Sequence, residues 1–233
     1  MNLRRIHWTY IVIAVVILLA CIHTISNNPR ASLDFPPTMV INLDSRSDRL
    51  KEFRTQSWPV PIERISAVQY NPGWKGCFAS HYKCVRLAKE RNYPWVVIVE
   101  DDCMLTPTAI SQFQILLPYL WKNRNRWDIF YGGVTSVKNP RRISHSPPLY
   151  ETYAFAAHFC LIHTSTYDKI LNGCPQHISE YKEPVDVYYA KNFRIWTTTP
   201  FFAKQRSGKS DIENGKVDYT DMFADAENAL RTV

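Results

Sequence analysis

Apolar residues along this chain come in short blocks whose spacing switches repeatedly between strand-like runs and helical periodicity. Residues 38–43 (TMVINL) predict a first strand, and Asp44 or Ser45 supplies a cap for a helix over 46–57. A second strand is predicted at 62–66. A helix over 76–92 follows, with Phe78, Tyr82, Val85, Leu87 and Ala88 available for its buried face. Residues 95–99 (WVVIV) are an uninterrupted, mostly β-branched run, as expected of a strand covered on both sides. Ile110, Phe113, Leu116 and Leu117 predict a helix over 107–122, and 127–131 (WDIFY) another strand closed by Gly132-Gly133. Pro140, Pro147 and Pro148 argue for a long loop over 134–150. Beyond it the pattern predicts a strand over 153–163, a short helix over 165–171 ended by Asn172-Gly173, and a helix opened by Pro184-Val185-Asp186. A last strand over 194–200, a polar mobile loop over 201–217 and a terminal helix from about Tyr219 complete the chain. The repeated β, α, β order calls for an α/β fold with a mostly parallel central sheet.

A different pattern precedes the first strand. Residues 10–22 are apolar without a break, and no Asp, Glu, Lys or Arg occurs between Ile6 and Ile25. Twenty helical residues rise about 30 Å, the thickness of a bilayer core. Arg4 and Arg5 lie before the segment and only Arg30 closely after it, so the positive-inside rule leaves the amino terminus in the cytosol. The expected organisation is a cytosolic start (1–5), a transmembrane signal anchor (6–25), a stem (26–37), a folded domain (38–217) and a tail with helical pattern (218–233). Two other readings stay open: a cleaved signal peptide with Thr24-Ile25-Ser26 as a weak cleavage site, and a lipobox-like Leu18-Leu19-Ala20-Cys21.

Composition narrows the class. With 45% hydrophobic and 13% aromatic residues the chain has enough apolar side chains for a sizeable core. The net charge of +7 is carried by scattered Lys and Arg rather than one basic run, so no nucleic-acid partner is expected and an anionic small ligand accounts for it equally well. Of six cysteines, Cys21 lies in the apolar segment, and the others show no CxxC spacing, so zinc is not expected. Cys77 and Cys84, at i and i+7 of a predicted helix, would have Cα atoms roughly 10.5 Å apart, too far for a disulfide.

The candidate chemistry lies where the central strand stops. Glu100, Asp101 and Asp102 follow the valine-rich run directly, and three adjacent carboxylates repel one another unless a cation joins them. In an extended chain Glu100 and Asp102 point to one side and Asp101 to the other, offering two oxygen ligands to a hard divalent ion, Mn²⁺ first and Mg²⁺ second. A solvated acidic turn is the alternative, although the helix at 107 starts too late for Glu100 or Asp101 to cap it.

VINLDSRSDRL at 40–50, GCFASHYKCV at 76–85, VVIVEDD at 96–102, WDIFYGG at 127–133, PVD at 184–186 and QRSGKSDI at 205–212 occur in the order found in family 25 glycosyltransferases, which this chain resembles over residues 40–217. The resemblance implies a GT-A (Rossmann-like) domain, a divalent metal, a UDP-sugar donor, usually UDP-galactose, and inversion at the anomeric carbon. It implies donor contacts from Asn42, Asp44, Arg46 and Arg49, from Ser80 and His81, from Asp101, and from Lys204, Gln205 and Arg206. It further implies metal ligation by Glu100 and Asp102, and Asp186 as general base, with Glu183 and His158 in reserve. Lys209 joins the basic late loop as a diphosphate contact. The family's metal-site histidine has no evident counterpart there, and Gln205 stands in its place. The expected activity is a membrane-anchored transfer of a hexose to a glycan or glycoprotein acceptor, in the ER or Golgi lumen of a eukaryote or at a bacterial membrane. The alternative is a catalytically silent relative that binds a glycan or a protein. No Asn-x-Ser/Thr sequon supports lumenal glycosylation.

Overall fold

The computed structural model describes residues 35–210 and 215–233. The predicted anchor and most of the predicted stem lie outside the described residues. Among those described, no helix is long and apolar enough to cross a membrane. The folded unit runs from Phe35 to Val233, so it starts before Thr38 and takes in the predicted tail. Phe35 meets the rings of Trp58 and Phe113 edge-on, and the Pro37 carbonyl accepts from Val97 N–H.

Strand β1 (Thr38–Asn42) pairs in parallel with β2 (Ile62–Ser66) on one side and β3 (Trp95–Glu100) on the other. Next to β3 the sheet changes direction, because β8 (Phe159–His163) runs antiparallel between β3 and β5 (Ile129–Tyr131). β9 (Ile195–Thr198) then pairs parallel with β5, and an antiparallel hairpin of β6 (Ser136–His145) and β7 (Pro148–Phe155) completes the edge in the order β2-β1-β3-β8-β5-β9-β7-β6. The sheet is therefore mixed, and the expectation of a mostly parallel one is corrected. The βαβ pattern was sound for β1, β2 and β3, but it said nothing of a strand reached from β7 by a three-residue link.

Helices cover both faces. On one side lie α2 (Gly73–Glu90), α4 (Thr164–Gly173), α5 (Val185–Asn192) and α6 (Thr220–Arg231), and on the other α1 (Ser47–Phe53) and α3 (Ala109–Lys122). β3 shows why its run is continuously apolar: Val96 and Ile98 enter the first core and Trp95, Val97 and Val99 the second. The strand alternates, but both sides are dry.

Three local predictions change. The loop over 134–150 is the β6–β7 hairpin; Pro140 is accommodated because β6 is an edge strand with register shifts beside it, between Lys138/Arg141 and Arg142/Ser144. The strand over 153–163 is two strands, broken at Ala156–His158, where Ala156 has φ 99°. The polar loop after Phe201 contains β10 (Ala203–Gln205), which pairs antiparallel with β4 (Cys103–Leu105), and a small hairpin of β11 (Gly208–Ser210) and β12 (Gly215–Val217). The β4–β10 ribbon crosses the sheet just beyond Gly132-Gly133, whose backbone it touches: Phe202 and Ala203 N–H both donate to Gly132 O. A Cβ on Gly133 would sit 2.0 Å from Ala203 O. Gly133→Ala is therefore expected to cost about 1–3 kcal/mol of stability by overpacking, read as a lowered midpoint in urea unfolding.

Candidate active site

Parallel strands β1, β3, β5 and β9 all end at the same edge of the sheet, and that edge gathers the acids. Glu100 is the last residue of β3, and its N–H donates to His158 O in the link before β8 (3.0 Å). Asp101 and Asp102 form the turn into β4. A clamp from Gln56 holds that turn, its Oε1 accepting from Leu105 N–H (2.7 Å) and its Nε2 donating to Cys103 O (2.9 Å). The late segment closes it from the other side, where Arg206 N–H donates to Asp102 O (2.8 Å) and Gln205 Nε2 to Asp102 Oδ2 (3.1 Å).

The three carboxylates have distinct surroundings. Asp101 accepts from Asn42 Nδ2 at 2.7 Å and pairs with Arg49 at 3.0 Å, while Arg49 lies 3.6 Å from Asp102. Burial nonetheless raises the Asp101 pKa. Asp102 is buried, its Oδ1 has no hydrogen-bond partner among the described residues, and burial together with the charge of Glu100 pushes its pKa up to about 7. Burial opposes the charge on Glu100 too, but His81, whose Nε2 lies 3.1 Å from Oε1, together with His158 and Cys77 outweighs it, and the Glu100 pKa is lowered. Cys77 Sγ reaches the same oxygen at 3.5 Å.

Asn42 proves central: besides Asp101 it donates to Arg46 O (2.9 Å) and accepts from Arg64 Nε (2.9 Å). Arg64 also pairs with Asp44, whose carboxyl it holds below its usual range with help from Ser66 Oγ (2.8 Å). Arg46 pairs with Asp48 at 2.9 Å. Arg206 pairs with Glu52, and burial together with the charges of Arg49 and Arg46 lowers its pKa. Three guanidiniums thus stand close enough to feel one another beside the acids. Asp186 opens α5 at the same edge, since α5 runs back toward the start of β9. Its Oδ1 accepts from Val187 N–H (2.9 Å), and the N–H of Ala156, the residue with positive φ, also reaches the carboxylate. Burial raises the Asp186 pKa, and the charge of Glu100 adds to it.

The other expected contributors stand as follows. Ser80 is fully buried, donating to Gly76 O (2.7 Å) and accepting from Val68 N–H (2.8 Å), which fastens the β2–α2 link onto the helix. Lys204 pairs in register with Met104 and by strand alternation faces away from Gln205. Glu183 is taken by Lys191. His158 is buried and its pKa falls to about 4 by burial, so it stays neutral. The Lys209 side chain lies outside what the structure describes. Arg64, Gln56 and Cys77 were missed from sequence; only Cys77 carried a legible signal, standing one helical turn before His81.

Fold and site define a three-layer α/β protein with a buried acidic cluster, faced by arginines, at the carboxyl edge of its sheet. Residues 69–159, less than half of the chain, match the model of glycosyltransferase family 25 (LPS biosynthesis protein). The matched segment holds Cys77, His81, the three acids and His158, but not the arginines, Asp186 or the late segment. No curated protein matches the chain. A solved structure titled "Crystal Structure of A197 from STIV" aligns over 77% of this chain and 91% of that one, with TM-score 0.47 and 10% identity.

An acid whose pKa is raised on folding contributes stability that is present below its ordinary value of 3.8 and is lost as pH rises through about 7. In metal-free protein Asp102→Asn is accordingly expected to stabilise at pH 8 and to have little effect at pH 4, compared by urea unfolding against wild type at each pH. Equal effects at both would show that Asp102 is not the strained charge.

Proposed function

We propose that the protein is a membrane-anchored, metal-dependent, inverting glycosyltransferase that moves a hexose from a UDP-sugar to a hydroxyl of a glycan or glycoprotein. The observation that carries this reading is Asp102: a buried carboxylate with one unmatched oxygen, beside Glu100, in front of Arg49 and held by the Arg206 backbone N–H. One guanidinium at 3.6 Å does not balance two buried acids, and the donor set is oxygen on this side, which suits Mn²⁺ or Mg²⁺. Galactose as the sugar rests on the resemblance, and the anchor on the apolar pattern at 6–25, with an ER or Golgi lumen or a bacterial membrane as the setting.

In this reading Glu100 and Asp102 would hold the ion, which would supply positive charge against the negative charge of a leaving diphosphate. Arg49 and Arg206 hydrogen-bond the phosphate oxygens, Arg206 turning from Glu52 to do so while Arg49 keeps its contact with Asp101. Asp101, fixed by Asn42 and Arg49, faces the donor's sugar or ribose. Asp186 takes the proton of the acceptor hydroxyl as the acceptor oxygen bonds to the anomeric carbon and the bond from that carbon to the diphosphate oxygen breaks. The configuration inverts and UDP leaves. The same burial that raises the Asp186 pKa makes it a stronger base than an exposed aspartate, and two backbone N–H groups aim it.

The test is UDP release by the purified protein offered UDP-galactose, UDP-glucose or UDP-N-acetylglucosamine, with Mn²⁺ or with EDTA. Release is expected to need the metal and to vanish in Asp102→Ala. Asp186→Asn should lower kcat on the order of 10²–10⁴-fold with UDP binding by calorimetry unchanged. No release, together with no Mn²⁺-dependent UDP binding, would leave the silent, glycan- or protein-binding relative as the better reading.

A further inference from the structure

On the helical side of Glu100 the chemistry changes from oxygen to sulfur and nitrogen. Cys77 and His81 stand at i and i+4 on α2, so their side chains leave the same face of the helix one turn apart. With Glu100 they offer one ligand atom each, all within 4.8 Å of one another, the one such grouping of three His, Cys, Asp or Glu residues found among the described residues. This turn of helix is held firmly. A Cβ on Gly76 would lie 2.3 Å from Val68 O, so the β2–α2 link is packed directly on the backbone, and Ser80 ties Val68 N–H to the same turn. His81 is fully buried, whereas the Glu100 side chain keeps 17% of its surface and Cys77 is partly exposed, so the group has a closed back and an open front.

We infer that Cys77, His81 and Glu100 form a binding site for one borderline-soft divalent cation of the Zn²⁺ class, chemically distinct from the oxygen-lined place at Asp102. A thiolate, an imidazole and a carboxylate are the ligand types of zinc, while Mn²⁺ and Mg²⁺ favour oxygen. Three protein ligands leave the fourth tetrahedral position to water or to a ligand entering from the open side. Charge favours occupancy as well: one thiolate and one carboxylate carry two negative charges, which a divalent ion cancels where burial penalises either alone. The proton balance is simple. As the metal–sulfur bond forms, the Cys77 thiol proton leaves to solvent, and the imidazole proton passes from Nε2, where it faces Glu100, to Nδ1. His81 Nδ1 has no hydrogen-bond partner among the described residues. Lacking that outer support the site should bind roughly 10–100-fold more weakly than one whose histidine is so held.

The inference does not rest on the transfer reading, since it concerns metal alone. If both are right, Glu100 is shared, and zinc at this site withdraws it from the pair with Asp102, making zinc an antagonist of the Mn²⁺-dependent reaction.

The test titrates Co²⁺ alone into the reduced full-length protein, without nucleotide sugar, and follows near-ultraviolet absorption from thiolate-to-cobalt charge transfer. The expected result is a band that saturates at one equivalent, is displaced by Zn²⁺, is absent from Cys77→Ser and persists in Cys84→Ser, whose cysteine is buried and lies one heptad further along α2. A second measurement needs no variant: Zn²⁺ should protect Cys77 of the wild-type protein from alkylation, read by mass spectrometry. No band in the wild type, a band surviving in Cys77→Ser, or unprotected alkylation would each overturn the site, whatever the outcome with UDP-sugars.

Discussion

A carboxylate at the end of a strand buried on both faces has no easy way to be hydrated, and β3 ends in three acids. Much of the surrounding architecture answers that problem. Arg49 and Asn42 are turned onto Asp101, His81 and Cys77 onto Glu100, and Gln205 with the Arg206 amide onto Asp102 and its carbonyl. Even so the compensation is unequal: Glu100 stays low because His81, His158 and Cys77 surround it, while Asp102 bears the remaining strain. Such an imbalance between neighbouring acids is common where a protein expects a cation or a reacting group.

The antiparallel β8 decides what else can reach this edge. Lying between β3 and β5 and running against both, it starts where they end, so the link that precedes it must pass over the acids. That link is Ala156-Ala157-His158, and its backbone is used closely: His158 O receives the Glu100 N–H, and Ala156 turns through φ 99° to bring its own N–H toward Asp186. Positive φ at a non-glycine residue is costly, and here it coincides with a contact to the carboxylate proposed as base.

What could be read from the sequence followed from periodicity and from unbroken local runs. β1, β2, β3, α2 and α3 were legible because their apolar residues repeat at strand or helix spacing, and the acids were legible because they abut a strand. The mixed sheet was not, since direction depends on which strands meet, and nothing in residues 159–163 encodes their antiparallel neighbours. The prolines of 134–150 misled because an edge strand tolerates what a central one would not. At the site, Asn42, Arg49, Asp101, Asp102 and Gln205 do come together, but Ser80 turned out to be a fastening and Lys204 faces away from Gln205. Arg64 and Gln56 gave no sign at all: each acts across a long sequence gap on the backbone or side chain of another site residue, a relation that exists only after folding.

The β4–β10 ribbon makes the candidate site a report on whether the chain has finished folding. Cys103 pairs with Gln205, and Asp102 takes two hydrogen bonds from residues 205 and 206, so the turn that carries the acids is completed by a segment synthesised about a hundred residues later. Contacts of such sequence separation form late, after the entropy of closing the intervening chain has been overcome. A nascent or truncated chain would therefore carry the whole β3 motif and yet lack half of its walls. Completion of the candidate site and completion of the fold are thus tied together: the turn at Asp102 gains its contacts from Gln205 and Arg206 only once the carboxyl-terminal third of the chain has docked.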